Sequence, residues 1–271
     1  MRADVYLTEN GLVSSRQRAK TLIEEGNVWI DGVLVTKPSQ TIPEGDHDVR
    51  IQNDLPYVSR GALKLEAALE AFGISPVDAV AIDIGASTGG FTDCLLQKGA
   101  KKVFAVDSGE GQLAECLQSH PCVVSMERTN ARTLTPDHFG GVLADLVVMD
   151  VSFISATYLI PLFHTLLKEN ASAVCLIKPQ FEVGRAMLGK GGIVKDLKAH
   201  RLAVEKVLDS ALLSGLTPIG LIPSPISGGD GNREFLVHLI NQPNGNACLT
   251  ASRITEVTGA VSHWRKEGSK C

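Results

Sequence analysis

The sequence predicts an α/β domain on a mostly parallel seven-stranded sheet, preceded by a small α+β module. Three observations lead there. Seven apolar, β-rich runs follow residue 80. Helical stretches fit between most of them, as in sheets covered by helices on both faces. The first sixty residues have a different texture: one helical period, then a hairpin signal.

In that first segment, "SSRQRAKTLIEEG" (14–26) reads as a helix. Ser14 or Ser15 can cap it and Gly26 can end it. Ala19, Leu22 and Ile23 form its apolar face. "NVWIDGVLV" (27–35) reads as a hairpin about Asp31-Gly32, a pair suited to a type I′ turn. "PSQTIPEGDHDVRI" adds a turn and a short strand. Such a module is small for independent stability. "QNDLPYVSRG" (52–61) is polar and contains a proline, and the linker is placed there. The domains are therefore taken as 1–58 and 59–271.

The expected strands are "AVAIDIG", "KVFAVDS", "CVVSME", "DLVVMDVS", "AVCLIKP", "LTPIGLIP" and "EFLVHLI". Helices fit near 89–99, 111–119, 154–168 and 196–214. Only the Gly-rich "PSPISGGDGNR" joins the last two strands, so the final strand is expected to run antiparallel. A helix near 249–264 closes the chain.

Composition is ordinary for a globular protein: 44% apolar, 21% charged, net charge −4 over 271 residues. No global basic signal advertises nucleic acid, so any such surface must be a local patch. Six cysteines form no CxxC pair and no zinc-like spacing, so no metal is expected. The start lacks a signal pattern, and no apolar run reaches the ~18 residues of a membrane span. A reduced, cytoplasmic protein is the expectation.

"AIDIGASTGGFTDCLL" (81–96) reads as strand, Gly-rich turn and helix, the place where open α/β sheets bind ligands. Gly85, Gly89 and Gly90 allow a tight turn and close approach. The pattern is not GxGxxG, which weakens a dinucleotide reading. Asp107 ends the next strand, where a carboxylate suits a ribose hydroxyl pair. With Asp83 before the turn, two carboxylates disfavour a polyphosphate. They suit a ligand with a ribose, an amino group and a positive centre, such as S-adenosylmethionine.

Asp150 and Lys178 each end an apolar strand on that same edge. Glu234 begins the last strand, so an antiparallel course brings it there too. Lys64 lies on an amphipathic helix ahead of the first strand, with Leu63, Leu65, Ala67, Ala68 and Leu69. Singly, Lys64 and Glu234 read as surface residues. Together, two lysines and two acids make a balanced group, the way partly buried charges are tolerated.

The set Lys64–Asp150–Lys178–Glu234 resembles the K-D-K-E tetrad of FtsJ/RrmJ-type ribose 2′-O-methyltransferases. "VSRGALKL", "DIGASTGGFTDCLL", "ERTNAR", "DVSFIS" and "KPQFEVG" look like the TlyA (haemolysin A) family. "RADVYLTENGLVSSRQRAKTLIEEGNVWIDGVLVTKPS" resembles an S4 RNA-binding domain. The resemblance spans about residues 2–240. It implies a Rossmann-like class I methyltransferase fold behind an S4-like domain, and S-adenosylmethionine-dependent methylation of a cytidine ribose 2′-OH in ribosomal RNA. It implies Lys64, Asp150, Lys178 and Glu234 as catalytic residues. It implies cofactor contacts by Asp83, Gly85, Ala86, Ser87, Thr88, Gly89, Gly90, Phe91, Asp107, Asn130 and Asp150. The expected partner is ribosomal RNA or a ribosomal subunit, with no membrane and no protein partner. The compact ends suggest a narrower target range than in longer relatives.

Proton removal from a 2′-OH falls to Lys178, with Asp150 orienting it. Two carboxylates raise a lysine's pKa, whereas burial and a second cation lower it. The residues leave open whether Lys178 takes the proton or only steers the hydroxyl.

The first sixty residues hold seven Lys/Arg and nine Asp/Glu, so RNA must meet one face. Arg2, Arg16, Arg18, Lys20 and Lys37 are the candidates; Arg16 and Lys20 are helix neighbours, and Arg18 reads more as a solvated surface residue than Arg16 does. Arg60, Arg185 and Lys190 extend the set, and "GKGGIV" suggests a mobile loop over the RNA. Lys195, Lys198, Arg201 and the tail residues Arg253, Arg265, Lys266 and Lys270 add to it. Three other readings compete: a nicotinamide-dependent dehydrogenase, an RNA-binding protein without catalysis, and a membrane-acting haemolysin. The first lacks GxGxxG and has no use for two lysines. The complete tetrad opposes the second, and no amphipathic cationic helix supports the third.

Overall fold

The structure, a computed structural model, describes residues 1–13, 16–24, 26–51, 56–228, 231–243, 245 and 249–261. Two compact units emerge, Met1–Pro56 and Tyr57–Cys271.

The first unit opens with a helix that the sequence reading did not expect, α1 (Ala3–Glu9). Its signal was present: Ala3, Tyr6 and Leu7 lie at i, i+3 and i+4 and are all buried. Helix α2 (Arg16–Glu24) buries Ala19, Leu22 and Ile23 as expected. Gly26, at φ 74°, turns the chain after it. The cap expected from Ser14 or Ser15 lies outside the described residues. Strands β1 (Val28–Ile30) and β2 (Val33–Leu34) pair antiparallel, Ile30 opposite Val33. Asp31 and Gly32 between them have φ 51° and 75°, both positive, as a type I′ turn requires. Strand β3 (Val49–Ile51) pairs with the other side of β1.

The second unit begins with a short anchor. Tyr57 is buried, its hydroxyl donates to Glu66 at 2.8 Å, and Val58 N–H donates to Asp93 at 2.7 Å. Helix α3 (Gly61–Phe72) follows, ended by Gly73 in the left-handed region. Then come β4 (Val80–Ile84), α4 (Gly90–Gln97), β5 (Lys102–Val106), α5 (Glu115–Gln118), β6 (Val123–Met126) and β7 (Ala144–Met149). The chain continues through α6 (Ile160–Leu166), β8 (Leu167–Ile177), α7 (Pro179–Glu182), α8 (Leu197–Leu213), β9 (Thr217–Pro223), β10 (Phe235–Ile240) and α9 (Ala251–Thr258). All seven expected strands form.

The sheet order is β6-β5-β4-β7-β8-β10-β9. Five strands are parallel, and β10 runs antiparallel to both β8 and β9. The chain moves outward from β4 through β6, then crosses to β7 on the other side of β4. That reversal creates a crevice at the carboxyl ends of β4 and β7. One core cluster includes Ile82, Val147, Phe163, Cys175 and Val207. Another, involving α3 and α4, includes Leu65, Leu95, Val148 and Leu236. The alternation along each strand feeds both clusters. Among the described residues no helix is long and apolar enough to cross a membrane.

Candidate active site

Strands β4, β5, β7 and β8 each end at the edge of the sheet that carries the crevice. Asp107, Asp150 and Lys178 lie one residue past β5, β7 and β8, and Gly85 one past β4. Because β10 is antiparallel, Glu234 at its start reaches the same edge, and Phe235 pairs with Ile177 beside Lys178.

The loop after β4 is folded by backbone bonds. Gly85 and Ala86 N–H both donate to Val106 O, at 2.8 and 3.1 Å. Gly85 has φ 86°, and a Cβ there would stand 2.5 Å from the Asp150 carbonyl oxygen. Only glycine allows this approach of the two strand ends. Asp107 fixes the loop from the other side. Its Oδ2 accepts from Ser87 N–H at 2.8 Å and its Oδ1 from Gly109 N–H at 2.7 Å.

A cleft of about 370 Å³ is lined by Gly85, Ser87, Val106, Asp107, Gln112, Thr129, Asn130, Asp150, Ile154 and Leu159, among others. A second hollow of about 210 Å³ is lined by Ser59, Gly61, Ala86, Thr88, Gly90, Phe91, Ser152 and Lys178. The two share Gly85, Ser87, Asp150 and Ser152. Together they have the size of a small-molecule site, with polar groups of several elements converging on it beside the apolar Val106, Ile154, Leu159 and Phe91. Two carboxylates on the wall, Asp107 and Asp150, favour a ligand bearing positive charge. Gly89 lines neither hollow; it packs where a Cβ would meet Leu117 and Leu113.

Asp83 is placed differently from the expectation of a ligand contact. It is fully buried behind the loop and lines neither hollow. One oxygen accepts from the Thr92 hydroxyl at 2.7 Å, and Oδ1 has no protein partner. Burial pushes its carboxyl up to about 7, against the Thr92 bond, with the Asp150 charge adding to the rise. An unfolded aspartate loses its proton near 4. Between those values the folded chain holds the extra proton, so this group's contribution to stability falls as pH rises. Asp83→Asn has no such dependence. Urea unfolding of both proteins should show the variant gaining on the parent by about 2–4 kcal/mol from pH 4 to pH 7.5. Parallel stability curves would contradict this.

The four expected catalytic residues meet in one chain of contacts. Lys178 Nζ lies 2.5 Å from Asp150 Oδ1 and donates to Ser152 Oγ at 2.8 Å. Lys64 Nζ lies 3.8 Å from Asp150 Oδ2 and 2.7 Å from Glu234 Oε2. Lys64 sits on the face of α3 that also buries Leu65, Ala68 and Leu69. Leu63 and Ala67, expected on that face, are only partly buried. Burial pushes the Glu234 carboxyl above its ordinary range, opposed by the Lys64 ammonium. The two outer members differ: Glu234 is closed off, whereas Lys178 lines the open hollow.

Several contributors escaped the sequence reading. Ser152 and Ser59 are short polar residues in loops, with no periodic signal. Glu127, in "ERTNAR", accepts from Gly111, Gln112 and Leu113 N–H at 2.8, 2.8 and 3.2 Å. These amides hold its carboxyl below the usual range and fix the turn carrying Gln112. Three amides converging on one acid are legible only after folding. Asn130 accepts from Arg132 N–H at 3.0 Å and caps a short turn at the cleft wall.

The basic residues fall into separate groups. In the first unit, Arg2 and Arg16 both bind the buried Asp4, at 2.8 and 3.3 Å. The Arg2 guanidinium holds that carboxyl down at about 2. Both arginines keep exposed side chains, and Lys37 is exposed. Lys20 is partly buried one turn after Arg16. In the second unit Arg60, Arg185, Lys190, Lys195 and Lys198 are exposed. The "GKGGIV" segment is anchored at its end: Val194 N–H donates to the buried Asn232 at 2.9 Å, and Asn232 reaches Gly192 O at 3.3 Å. Arg265, Lys266 and Lys270 lie outside the described residues.

Comparison with known proteins adds a further finding. The FtsJ-like methyltransferase family model matches residues 57–241, and the S4 domain model matches residues 1–48. A relative from Mycobacterium tuberculosis, 16S/23S rRNA (cytidine-2'-O)-methyltransferase TlyA, is 44% identical, covering 89% of this chain and 90% of its own. Hemolysin A of Brachyspira hyodysenteriae is 42% identical, covering 89% and 100%. A solved structure named "Putative hemolysin from Streptococcus thermophilus" superposes with a TM-score of 0.76 at 41% identity, covering 96% and 94%.

Proposed function

The chain belongs to the FtsJ-like methyltransferase family, and from that premise we propose that it methylates a ribose 2′-hydroxyl in ribosomal RNA, at a cytidine, with S-adenosylmethionine as donor. The observation that carries the reading is the unbroken Lys178–Asp150–Lys64–Glu234 chain beside the cleft.

S-adenosylmethionine, when bound, supplies an electrophilic methyl group. Gly85, Ser87, Asp107, Asn130 and Asp150 are the residues that would hold it, joined by Ala86, Thr88, Gly90 and Phe91 at the second hollow. Asp83 contributes at one remove, by fixing Thr92 beneath the loop. Lys178 faces the hollow and meets the 2′-hydroxyl, taking or steering its proton. Asp150 orients the Lys178 ammonium through the 2.5 Å contact. Lys64 joins Asp150 to Glu234, and Glu234 balances a second cation that burial would otherwise penalise. Much of the acceleration comes from holding the oxygen in line with the methyl carbon.

The S4 unit and the exposed Arg60, Arg185 and Lys190 bind the RNA backbone in this reading. Such contacts supply affinity, with strong salt dependence, and not the choice of nucleotide. A ribosomal RNA substrate supports a cytoplasmic location in this reading. The test is transfer of labelled methyl from S-adenosylmethionine to ribosomal RNA or intact subunits, followed by mapping of 2′-O-methyl positions. Label at a cytidine ribose is expected. Label on a base, or none on either substrate, would overturn the reading.

A further inference from the structure

A second polar cluster lies behind the tetrad and takes no part in the chemistry above. Glu182 ends α7, four residues after Lys178, and its side chain is only 2% exposed. A buried carboxylate is tolerated only when its oxygens are bonded. Here Oε1 accepts from Ala156 N–H at 2.6 Å, and Oε2 accepts from the Ser155 hydroxyl at 2.5 Å. Lys206 reaches in from α8. Its Nζ lies 3.3 Å from Oε2 and donates to the Glu182 carbonyl at 2.8 Å. Ser155 in turn caps the short turn Ala156–Tyr158.

This cluster ties together the two loops that carry Lys178 and Asp150. Pairing between β7 and β8 ends at Met149 and Cys175. Beyond that point no ladder bond sets the distance between Asp150 and Lys178. The loops touch through the ion pair itself, through Ser152 on Lys178, and through the Phe153 and Phe181 rings at 5.4 Å. Glu182 is the contact that grips the backbone of one loop from the other.

We propose that Glu182 is a positioning residue for the methyl transfer: its carboxylate clasps the segment after β7 to the turn after β8 and so sets the Asp150–Lys178 geometry. The inference rests on the proposed function. α7 is a single turn, so a shift at Glu182 passes to Lys178 with little to absorb it. Displacements near 1 Å cost on the order of 100-fold in rate.

The test uses the full chain and three variants, Glu182→Ala, Glu182→Gln and Ser155→Ala. Expected for Glu182→Ala is a fall in kcat of about 10- to 100-fold. KM for RNA should stay within about twofold, and the pH profile of kcat should be displaced. Glu182→Gln, which keeps an acceptor for Ala156, should recover part of the loss. If Glu182→Ala does not fold, Ser155→Ala carries the test: it removes the 2.5 Å bond to Glu182 together with the hydroxyl's contacts to Thr157 and Lys206, and leaves the Ala156–Glu182 bond in place. A lowered Tm with the parental kcat and pH profile would overturn the clasp and leave a purely structural role. A parent that transfers no methyl group would overturn the functional reading instead.

Discussion

Lys178→Ala is expected to lower kcat for methyl transfer by about 10²- to 10⁴-fold, the range for losing a positioned proton-transfer group. The fold should survive. Lys178 lies at the rim of the second hollow, and its removal leaves Asp150 with Lys64 still 3.8 Å away. Circular dichroism and donor binding should therefore be near parental while single-turnover rates collapse. Lys178→Arg then separates the two roles left open by the sequence. Arginine keeps a cation beside Asp150 but does not give up its proton in proteins. If Lys178 removes the proton, arginine should be as poor as alanine. If it only holds the hydroxyl in line, arginine should retain a measurable fraction. Near-normal transfer by folded Lys178→Ala would remove this residue from the chemistry.

Lys64→Met is expected to destabilise the protein by about 3–5 kcal/mol, the usual result of stripping one partner from a buried pair. Glu234 is 2% exposed and would lose its 2.7 Å ammonium. In a unit of this size that loss lowers Tm by roughly 10 °C. The companion change Glu234→Gln removes the orphaned charge. The Lys64→Met/Glu234→Gln double variant should thus recover most of the stability, with little recovery of activity. A double-mutant cycle in thermal unfolding reads the coupling directly. Additive losses would mean that Lys64 and Glu234 are energetically independent.

Much of the sheet was legible because its strands are buried on both faces and read as short apolar runs. "DLVVMDVS" and "KVFAVDS" are such runs, and each forms its strand. Strand β8 was legible only in its second half. After the buried Leu167 it runs through the exposed Lys168, Glu169 and Asn170, the last at φ 60°, so no apolar run marks its first half. Helix α1 carries its period in only seven residues, too few for a helical pattern to stand out.

At the site, Asp150 and Lys178 were legible because charged residues at the ends of apolar strands are unusual, whereas Lys64 and Glu234 stood out only through the resemblance to the K-D-K-E tetrad. Topology then brought its members within contact distance. Asp83 was misleading for the same reason. It too sits at the end of an apolar strand, but inside it by one residue, and the pleat turns it into the core beside Thr92. The Glu182 cluster was invisible because its members lie in four-residue or shorter turns and on an ordinary amphipathic helix.

The position of β10 has a bearing on when the protein becomes active. It is the last strand among the described residues, yet it lies inside the sheet between β8 and β9, and it brings Glu234 to Lys64 across 170 residues. During synthesis the crevice at β4 and β7 can form while β8 and β9 still expose unpaired edges. Until β10 inserts, Lys64 has Asp150 nearby but lacks Glu234, the nearer of its two acids. The insertion that completes the sheet therefore also completes the tetrad. On the proposed function, a nascent chain with its donor pocket already folded is expected to stay inert toward RNA until β10 is in place.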